Sequence, residues 1–212
     1  MPRVSEEHLE RRRQQILDAA QSCFARKGLH ATTMQDVFAE SGLSAGAVYR
    51  YFKSKDDIIK DLATDATVDL RAALSEAVYS DPLPTPPDLV RIMCEAIVRL
   101  SVPGGPVRII PQAWSLALTD ANIADYVRTN ILGIRRLWFD YAERMRDVGW
   151  LPPDADTDAV AKIFLGLLPG FILQHLILGD VDPDTFARGI TEILPDYRRA
   201  AEAAAAAESA RA

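Results

Sequence analysis

The sequence predicts an all-α protein made of two helical domains. Apolar side chains recur at spacings of three and four residues through almost all of its 212 residues, which is the pattern of amphipathic helices. No segment shows the sustained alternation of apolar and polar residues, rich in β-branched side chains, that is typical of a strand. Between residues 33 and 52, two short helical segments flank a glycine-containing turn, which is the spacing of a helix-turn-helix.

Capping residues mark the starts and ends of the N-terminal helices. Gly28 and Gly42 follow apolar-periodic segments and are expected to end the first two helices. Thr33 with Asp36 three residues later resembles a capping box at the start of the second helix. Ser54 precedes two acidic residues and is expected to cap the fourth helix.

Proline-rich stretches divide the rest of the chain. We expect "DPLPTPP" (residues 81–87) to form a non-helical bend and "PGGP" (residues 103–106) to end another helix. The predicted helices are Arg11–Lys27, Thr33–Ser41, Ala45–Phe52, Ser54–Tyr79, Leu89–Leu100, Val107–Thr119, Asn122–Val148, Thr157–Gly179 and Pro183–Arg199. The domain prediction is a helix-turn-helix domain at 1–55, a second domain at 56–200, and a flexible alanine-rich tail at 201–212.

The charge is unevenly distributed along the chain. The formal net charge of −6 by itself argues against a nucleic-acid binder. Residues 1–60, however, carry 10 Lys/Arg and 8 Asp/Glu, a charge of +2, whereas the remainder carries 14 and 22, a charge of −8. A mildly basic N-terminal region on an acidic body favours one anionic partner at that end, although solvated faces can also give this asymmetry by chance.

Cysteine usage and the N-terminus indicate a reducing compartment. Cys23 and Cys94 each fall on the apolar stripe of a predicted helix, so both are expected to be unreactive core residues rather than a disulfide. The charged N-terminus lacks the apolar core of a secretory signal, and the expected location is the cytoplasm. The apolar stretch Ile163–Leu178 has 16 residues, short of the roughly 20 that a spanning helix needs. We expect a helix buried on most sides there, not a membrane span.

The turn sequence "GLSAG" also matches the G-x-S-x-G motif of serine hydrolases. That motif requires a strand before the serine, and Ser44 instead follows a predicted helix. A triad in the hydrolase order would also need a later acid and then a histidine, and the only later histidine, His175, lies in an apolar run. The sequence therefore favours a helix-turn-helix over a nucleophile.

The residues of this turn suit a helix-turn-helix that approaches DNA. Gly42 can adopt the left-handed turn conformation, Leu43 can fill the angle between the helices, and Ser44 can cap the next helix. The small residues 45–47 would let the N-terminus of that helix come close to a phosphate. Val48 and Phe52 would face inward, leaving the intervening side chains outward.

Residues 11–60 resemble the DNA-binding domain of TetR-type (TetR/AcrR) transcriptional regulators. The stretch "GLSAGAVYRYFKSKDDI" matches the family's "GVSKGTLYHYFPSKEEL"-like pattern in register, over about a quarter of the chain. The matching positions are Gly42, Ser44, Gly46, Tyr49, Tyr51, Phe52, Ser54 and Lys55. Departures at Ala45, Ala47, Arg50 and Lys53 remove two possible contacts and add positive charge, so the operator sequence is not predicted.

The resemblance implies that a double-stranded DNA operator is the partner of the N-terminal domain. Thr33 and Lys55 would bind phosphate, Tyr49 and Arg50 would contact phosphate or base edges, and Tyr51 would support or touch the DNA backbone. The complete predicted DNA-binding set is Thr33, Ser44, Ala45, Gly46, Tyr49, Arg50, Tyr51, Lys53 and Lys55.

The resemblance also implies a helical C-terminal domain that senses a small-molecule effector. The helices at 107–119 and 122–148 hold more aromatic residues than a small core needs, with core packing as the alternative for each one. Gln112 and His175 could supply polar groups to an apolar pocket, although a buried histidine more often has a structural role. The predicted ligand pocket is Met93, Trp114, Tyr126, Trp138, Phe139, Phe164, Phe171 and His175.

The same family pairs its last two long helices across a two-fold axis, which implies a homodimer. Thr157–Gly179 is apolar almost all round, so one face should pack on its own chain and another on a partner. The predicted interface is Leu165, Pro169, Ile172, Leu173, Leu176, Ile190 and Leu194. Such a dimer would recognise a near-palindromic operator.

The predicted function is ligand-released repression, with two alternatives from other classes. An effector that binds one separation of the two DNA-binding domains more tightly than the other would shift the population and release the operator, through the helices that carry Arg91 and Ser54. A helical enzyme would need a cluster of titratable groups, and the sequence offers no metal-ligand spacing or glycine-rich phosphate loop, so no catalytic residue, metal or cofactor is predicted. A dimeric interaction module that does not bind DNA is disfavoured by Tyr49, Arg50 and Lys55.

Overall fold

The structure, a computed structural model, describes residues 6–102 and 105–194, apart from the side chains of residues 65 and 66. Within those ranges it is helical and contains no strand, which confirms the predicted all-α class. The helices are α1 (Glu6–Ala31), α2 (Met34–Ser41), α3 (Ala45–Tyr49), α4 (Lys55–Val78), α5 (Pro86–Leu100), α6 (Ile110–Ala117), α7 (Ala121–Asp147), α8 (Thr157–Leu173) and α9 (Pro183–Ile193). The predicted tail at 201–212 and the predicted end of the last helix lie outside the described residues.

Several helix ends follow from the capping residues named above, and others differ. α1 begins at Glu6 rather than Arg11 and resumes after the non-helical Gly28 to end at Ala31. α3 ends at Tyr49 rather than Phe52, because the next residues form a turn closed by N–H groups of Tyr51 and Phe52 on the carbonyl of Val48. α5 begins at Pro86, inside the predicted bend. A proline fits the first turn of a helix, where its missing N–H would have no acceptor within the helix.

Non-α turns account for the other differences. A 3₁₀ turn, Pro106–Arg108, precedes α6, so the predicted helix at 107–119 is divided. A π-helical turn, Gln174–Leu178, follows α8 and ends at Gly179, which has a φ of 71°. Because a π-turn shifts the helical register, the side chains after Leu173 do not continue the face that the sequence pattern predicts.

The described chain divides into two compact units. The first unit is Met1–Val68 with Leu100–Arg128, and the second is Asp69–Arg99 with Thr129–Ala212. α6 therefore belongs to the same compact unit as the helix-turn-helix, although the sequence placed it in the second domain. The predicted boundary at residue 55 remains a prediction, since compactness alone does not define an independently folding domain.

The first unit is built on one apolar core to which every helix of the unit contributes. α1 supplies the largest share, and Val48 and Phe52 are buried in it as predicted. The buried members of this core are Ile16, Leu17, Ala20, Phe24, Leu29, Val37, Val48, Phe52, Ile58, Ile59, Leu62, Ile109 and Ile123. Ile109 and Ile123 lie well beyond the helix-turn-helix in the sequence. This core therefore depends on residues outside the helix-turn-helix.

The second unit has an aromatic core. The ring of Trp138 stacks on Phe164 with centroids 5.2 Å apart, and Tyr141 meets both rings edge-on. The hydroxyl of Tyr141 donates a 2.8 Å hydrogen bond to the carbonyl of Pro84, which ties α7 to the loop before α5. Arg144 adds hydrogen bonds to the carbonyls of Val78 and Ser80.

α8 is less buried than the sequence predicts. By length and composition the continuous helical stretch Thr157–Leu178 could span a membrane, and 28% of its most apolar window is buried. The expectation of a helix buried on most sides is therefore wrong for the single chain. One face, carrying Phe164, Leu168 and Phe171, packs in the second unit, and the opposite side chains, including Ile163 and Ile177, lie exposed.

Candidate nucleic-acid interface

The start of α2 is a complete capping box on the surface of the first unit. The Thr33 hydroxyl accepts a hydrogen bond from the Asp36 N–H at 3.2 Å, and the Asp36 carboxylate accepts from the Thr33 N–H at 2.9 Å. This confirms the predicted cap. Lys27 donates to the other oxygen of Asp36 at 2.6 Å. The hydrogen bond from Lys27, followed by those from Thr33, lowers the pKa of Asp36 to about 2.

The turn between α2 and α3 has the geometry expected for its residues. Gly42 has a φ of 66° and a ψ of 17°, the left-handed conformation in which glycine avoids a steric cost. Leu43 packs against the apolar core, and the Ser44 hydroxyl accepts the Ala47 N–H at 3.3 Å. The angle between the two helices is therefore fixed by one backbone conformation, one side chain in the core and one cap.

α3 presents its N-terminal turn and one aromatic ring to solvent. Ser44, Ala45 and Gly46 are exposed, and a Cβ built on Gly46 would have no neighbour within 4 Å. Tyr49 is 42% exposed, with its ring edge-on to Phe38 at 5.4 Å. The contact with Phe38 orients the Tyr49 ring while the residue stays partly exposed.

Positive charge on this face comes mainly from the residues just after α3. Arg50 is exposed and makes no ion pair with any residue in the described ranges, so its guanidinium is available to an anion. Lys53 is also exposed, and its ammonium donates to the Tyr49 carbonyl at 2.8 Å. Tyr51 is half-buried against the core, which fits a supporting position better than an exposed one.

Lys55 lies against the end of α1. Its ammonium donates to the carbonyls of Leu29 at 2.7 Å and Thr32 at 2.9 Å, with His30 at 3.4 Å. These acceptors lie at the end of α1, so Lys55 satisfies carbonyls that the helix itself leaves unpaired. The predicted phosphate contact from Lys55 is untested by this geometry, which shows that the side chain already has a structural role.

Three other cations in the described part of the first unit, Arg13, Arg26 and Lys27, are paired with carboxylates. Arg26 meets Glu40 at 2.6 Å, and its hydrogen bond lowers the pKa of that carboxyl. Arg13 reaches Asp61 on α4 at 2.5 Å. These pairs neutralise the flanks of the helix-turn-helix, whereas Arg50 and the ammonium of Lys53 pair with no carboxylate in the described ranges.

Comparison with known proteins finds a family model that matches the helix-turn-helix segment. The model for bacterial regulatory proteins of the tetR family matches residues 16–62, which include α2, the turn, α3 and the cap of α4. Over these residues the chain is similar to regulatory proteins of the tetR family. TetR-family proteins, including the relatives described next, are transcription regulators and not enzymes. The matched segment contains every residue that the sequence predicts for DNA binding.

Sequence identity to the relatives is high over a short segment and lower over longer alignments. The HTH-type regulator YfiR of Bacillus subtilis is 48% identical over 59 residues, which is 28% of this chain and 29% of YfiR. The repressor KstR2 of Mycolicibacterium smegmatis is 28% identical over 153 residues, 71% of this chain and 73% of KstR2. The chain thus matches less than a third of YfiR's length at high identity.

A solved structure supports the fold over most of the chain. SmeT of Stenotrophomonas maltophilia, solved as a complex with triclosan, superposes with a TM-score of 0.67 at 24% identity. The superposition covers 85% of this chain and 90% of SmeT. The likeness includes both compact units and therefore confirms an N-terminal helix-turn-helix followed by a further helical region.

The predicted ligand-pocket residues are distributed over both compact units. Trp114 and Tyr126 belong to the first unit, where the Tyr126 hydroxyl lies 2.6 Å from the Thr64 hydroxyl. The other six belong to the second unit: Met93, Trp138, Phe139, Phe164, Phe171 and His175. Among these, Trp138 and Phe164 stack together, and His175 stacks on Phe171 with centroids 5.6 Å apart.

Gln112 was considered for the pocket and is engaged elsewhere. Both ends of its amide bond to backbone within the first unit, at Leu29 and at Arg108. Sequence periodicity gives no signal for this role, because the two partners are a peptide N–H and a carbonyl. The one sequence signal for the hydrogen bond between Gln112 and Leu29 is Gly28, which interrupts α1 directly before Leu29.

The predicted interface residues are partly exposed and partly internal. Ile172 and Ile190 are buried within the single chain, whereas Leu173 and Leu194 are exposed and Leu165, Pro169 and Leu176 are half-buried. Four strongly exposed apolar side chains on α8, α9 and the π-turn between them were not predicted: Ile163, Ile177, Leu178 and Ile193. The π-turn after Leu173 explains the misses at 177 and 178, since it rotates these residues out of the extrapolated register.

An apolar cleft opens between the end of α7, α8 and α9. Its volume is about 310 Å³, and it is lined by Met145, Leu151, Ala159, Val160, Ile163, Phe164, Leu167, Ile190, Ile193 and Leu194. Phe164 is the one predicted pocket residue on its wall, and Ile190 and Leu194 come from the predicted interface. The cleft therefore lies along the exposed apolar side of α8 and α9.

Proposed function

We propose that this chain is a DNA-binding transcriptional repressor that acts as a homodimer and releases a near-palindromic operator when an effector binds. The observation that carries the proposal is the exposed surface formed by the starts of α2 and α3, with Tyr49 and the unpaired Arg50 beside it. This surface lies inside the segment that matches the tetR family model. The names of KstR2 and SmeT describe both relatives as repressors, which supports the same activity here.

The proposed division of labour on DNA follows the chemistry of each side chain. Thr33 and Ser44 place hydroxyls and backbone N–H groups at helix starts, where phosphate is favoured. Arg50 has the donors to contact a guanine edge, and Tyr49 can donate to a phosphate oxygen. Ala45 and Gly46 are small, so the backbone at the start of α3 can approach the DNA closely. Lys53 adds charge, and Tyr51 supports Tyr49 and Arg50 from the core side.

The exposed apolar side of α8 and α9 supports the homodimer. Ile177 is 73% exposed and Ile163 71%, and such side chains gathered on two neighbouring helices are typical of a surface covered by a partner. Leu165, Pro169, Leu173, Leu176 and Leu194 complete the proposed interface. A partner that covers this side would also account for an apolar helix in a protein proposed to be cytoplasmic.

The effector is proposed to be small and largely apolar with one hydrogen-bond acceptor. SmeT was solved with triclosan, which shows that a protein of this fold can hold a small molecule. Within the described residues, the indole N–H of Trp138 is buried without an acceptor. A buried donor without a partner is unfavourable, so a ligand that reached it with an acceptor would bind with a net gain.

The experiment that tests the function is a selection of genomic DNA fragments by the purified protein, followed by fluorescence anisotropy over a salt series. Steeply salt-dependent binding that prefers one fragment is expected, with a loss of about tenfold in Arg50→Ala and a salt slope shallower by about 1. Arg11→Ala is the matched control, because Arg11 is an exposed arginine on α1 outside the proposed surface. Binding that ignores sequence, or that Arg50→Ala leaves unchanged, would overturn the proposal.

A further inference from the structure

The peptide of Leu29 is held from two sides by side chains of α4 and α6. Gly28 interrupts α1 with a φ of 78° and a ψ of 163°, so the N–H of Leu29 points away from the helical acceptor it would otherwise use. Leu29 is buried, and a buried N–H in native proteins requires a partner. The Oε1 atom of Gln112 supplies it at 3.0 Å.

The orientation of the Gln112 amide is determined by its two partners. Leu29 can only donate through its N–H, so the amide oxygen must face it. The amide nitrogen then donates to the carbonyl of Arg108 at 3.1 Å, one turn earlier in the chain. With both ends engaged, the side chain of Gln112 has one orientation that satisfies every group.

The opposite side of the same peptide is fixed by Lys55. Its ammonium bonds the Leu29 carbonyl and, three residues on, the carbonyl of Thr32. The Thr32 hydroxyl in turn donates to the carbonyl of Gly28 at 2.8 Å. The segment Gly28–Thr32 is therefore closed on itself and tied to two other helices.

This segment leads directly into the DNA-facing surface. The residue after Thr32 is Thr33, the cap of α2 and a proposed phosphate contact. We propose that Gln112 is a positioning residue for DNA binding: it holds the bend of α1 and thereby sets where α2 starts. The inference rests on the proposed function, and it assigns a role in DNA binding to a residue 50 positions beyond the segment that matches the family model.

α6 is held in place by the apolar core of the first unit. Ile109, just before it, is buried in the core of the first unit, and Leu116 and Ala117 near its end pack against that core. α6 and the bend thus share one apolar core, so a displacement of Gln112 requires repacking. Loss of the Gln112 acceptor would instead free the bend while leaving the core intact.

The test compares two substitutions at position 112 that both remove the donor to the Arg108 carbonyl and that differ in the acceptor. Gln112→Met also removes the acceptor for the Leu29 N–H, whereas Gln112→Glu keeps that acceptor and adds a negative charge. Gln174→Met is the control, since Gln174 is exposed in the second unit and far from this bend in sequence. Each variant is measured for hydrogen exchange at the amides of Leu29 and α2 and for affinity to the fragment that the wild type selects.

We expect Gln112→Met to exchange faster at Leu29 and the start of α2 by about tenfold, and to bind DNA about fivefold more weakly. Gln174→Met should resemble the wild type in both measurements, and Gln112→Glu should keep the slow exchange of the Leu29 amide. If the wild type selects DNA and Gln112→Met leaves both the exchange rates and the DNA affinity unchanged, the role of Gln112 is overturned while the proposed function stands. A wild type that selects no fragment overturns the proposed function, and the role of Gln112 in DNA binding falls with it.

Discussion

Lys27 on α1 and Asp36 on α2 form an ion pair of 2.6 Å, and the same carboxylate closes the capping box with Thr33. One side chain therefore joins two helices and starts the second. Its charge contributes to folding because both partners favour the ionised form, which is why the pKa of Asp36 falls to about 2 from an ordinary value of 3.8.

The first prediction concerns the pH dependence of this contact. Since the pKa of Asp36 is lower in the folded state, its contribution is complete above about pH 4 and is lost as pH falls towards 2. Asp36→Asn keeps an oxygen that can cap but removes the charge. We expect a lower free energy of unfolding than the wild type at pH 7 and a difference that shrinks from pH 4 to pH 2, measured by urea unfolding. Glu76→Gln, an exposed change on α4, should show no such pH-dependent difference.

The second prediction separates the two lysines after α3. Lys55→Met removes a cation from three carbonyls at the end of α1, and hydrogen bonds from charged donors contribute about 1.5–3 kcal/mol each in mutational series. We expect a loss of about 2 kcal/mol in the free energy of unfolding. Lys53→Met, the matched change at an exposed lysine, should lose less than about 0.5 kcal/mol. Equal stability of both variants in urea unfolding would contradict the structural role of Lys55.

The contrast between these lysines shows what the sequence could and could not supply. The capping box, the left-handed Gly42 and the buried positions Val48 and Phe52 were all predictable, because each depends on residues within a few positions of one another. The partners of Lys55 lie 23 to 26 positions away and are backbone carbonyls, which leave no mark in the sequence. Family resemblance assigned phosphate binding to Lys55 from its position alone.

The second unit was harder to predict for a related reason. Helical periodicity identifies which residues are apolar but not which apolar face meets the chain's own core. On α8 the inward face carries Phe164, and Ile172 joins it, although Ile172 was expected at the interface. Beyond Leu173 the π-turn changes the register, and no residue type in "QHLIL" announces it. The exposed positions of α8 and the π-turn therefore could not be predicted from the sequence.

The third prediction uses Gly46 to separate folding from DNA approach. A Cβ at this position meets no neighbour within 4 Å, and alanine is the better helix former by about 1 kcal/mol. Gly46→Ala should therefore unfold at an equal or higher urea concentration than the wild type. If the start of α3 lies against DNA, the added methyl group should weaken binding to the selected fragment by about tenfold. If Gly46→Ala binds the selected fragment as tightly as the wild type does, another part of the first unit contacts the DNA.

The fourth prediction tests the homodimer through Ile177, an exposed apolar residue of the proposed interface. Ile177→Asp puts a charge where a partner would exclude water, and an unpaired buried charge is strongly unfavourable. We expect light scattering to show the wild type at twice the mass of one chain and Ile177→Asp at the mass of one chain at micromolar concentration. Val68→Asp is the matched control, because Val68 is a β-branched residue 53% exposed on α4, outside the proposed interface. It should remain a dimer. A wild type at the mass of one chain, or an Ile177→Asp variant that stays dimeric, would remove α8 from the interface, and the exposed side of α8 and α9 would then need a different partner.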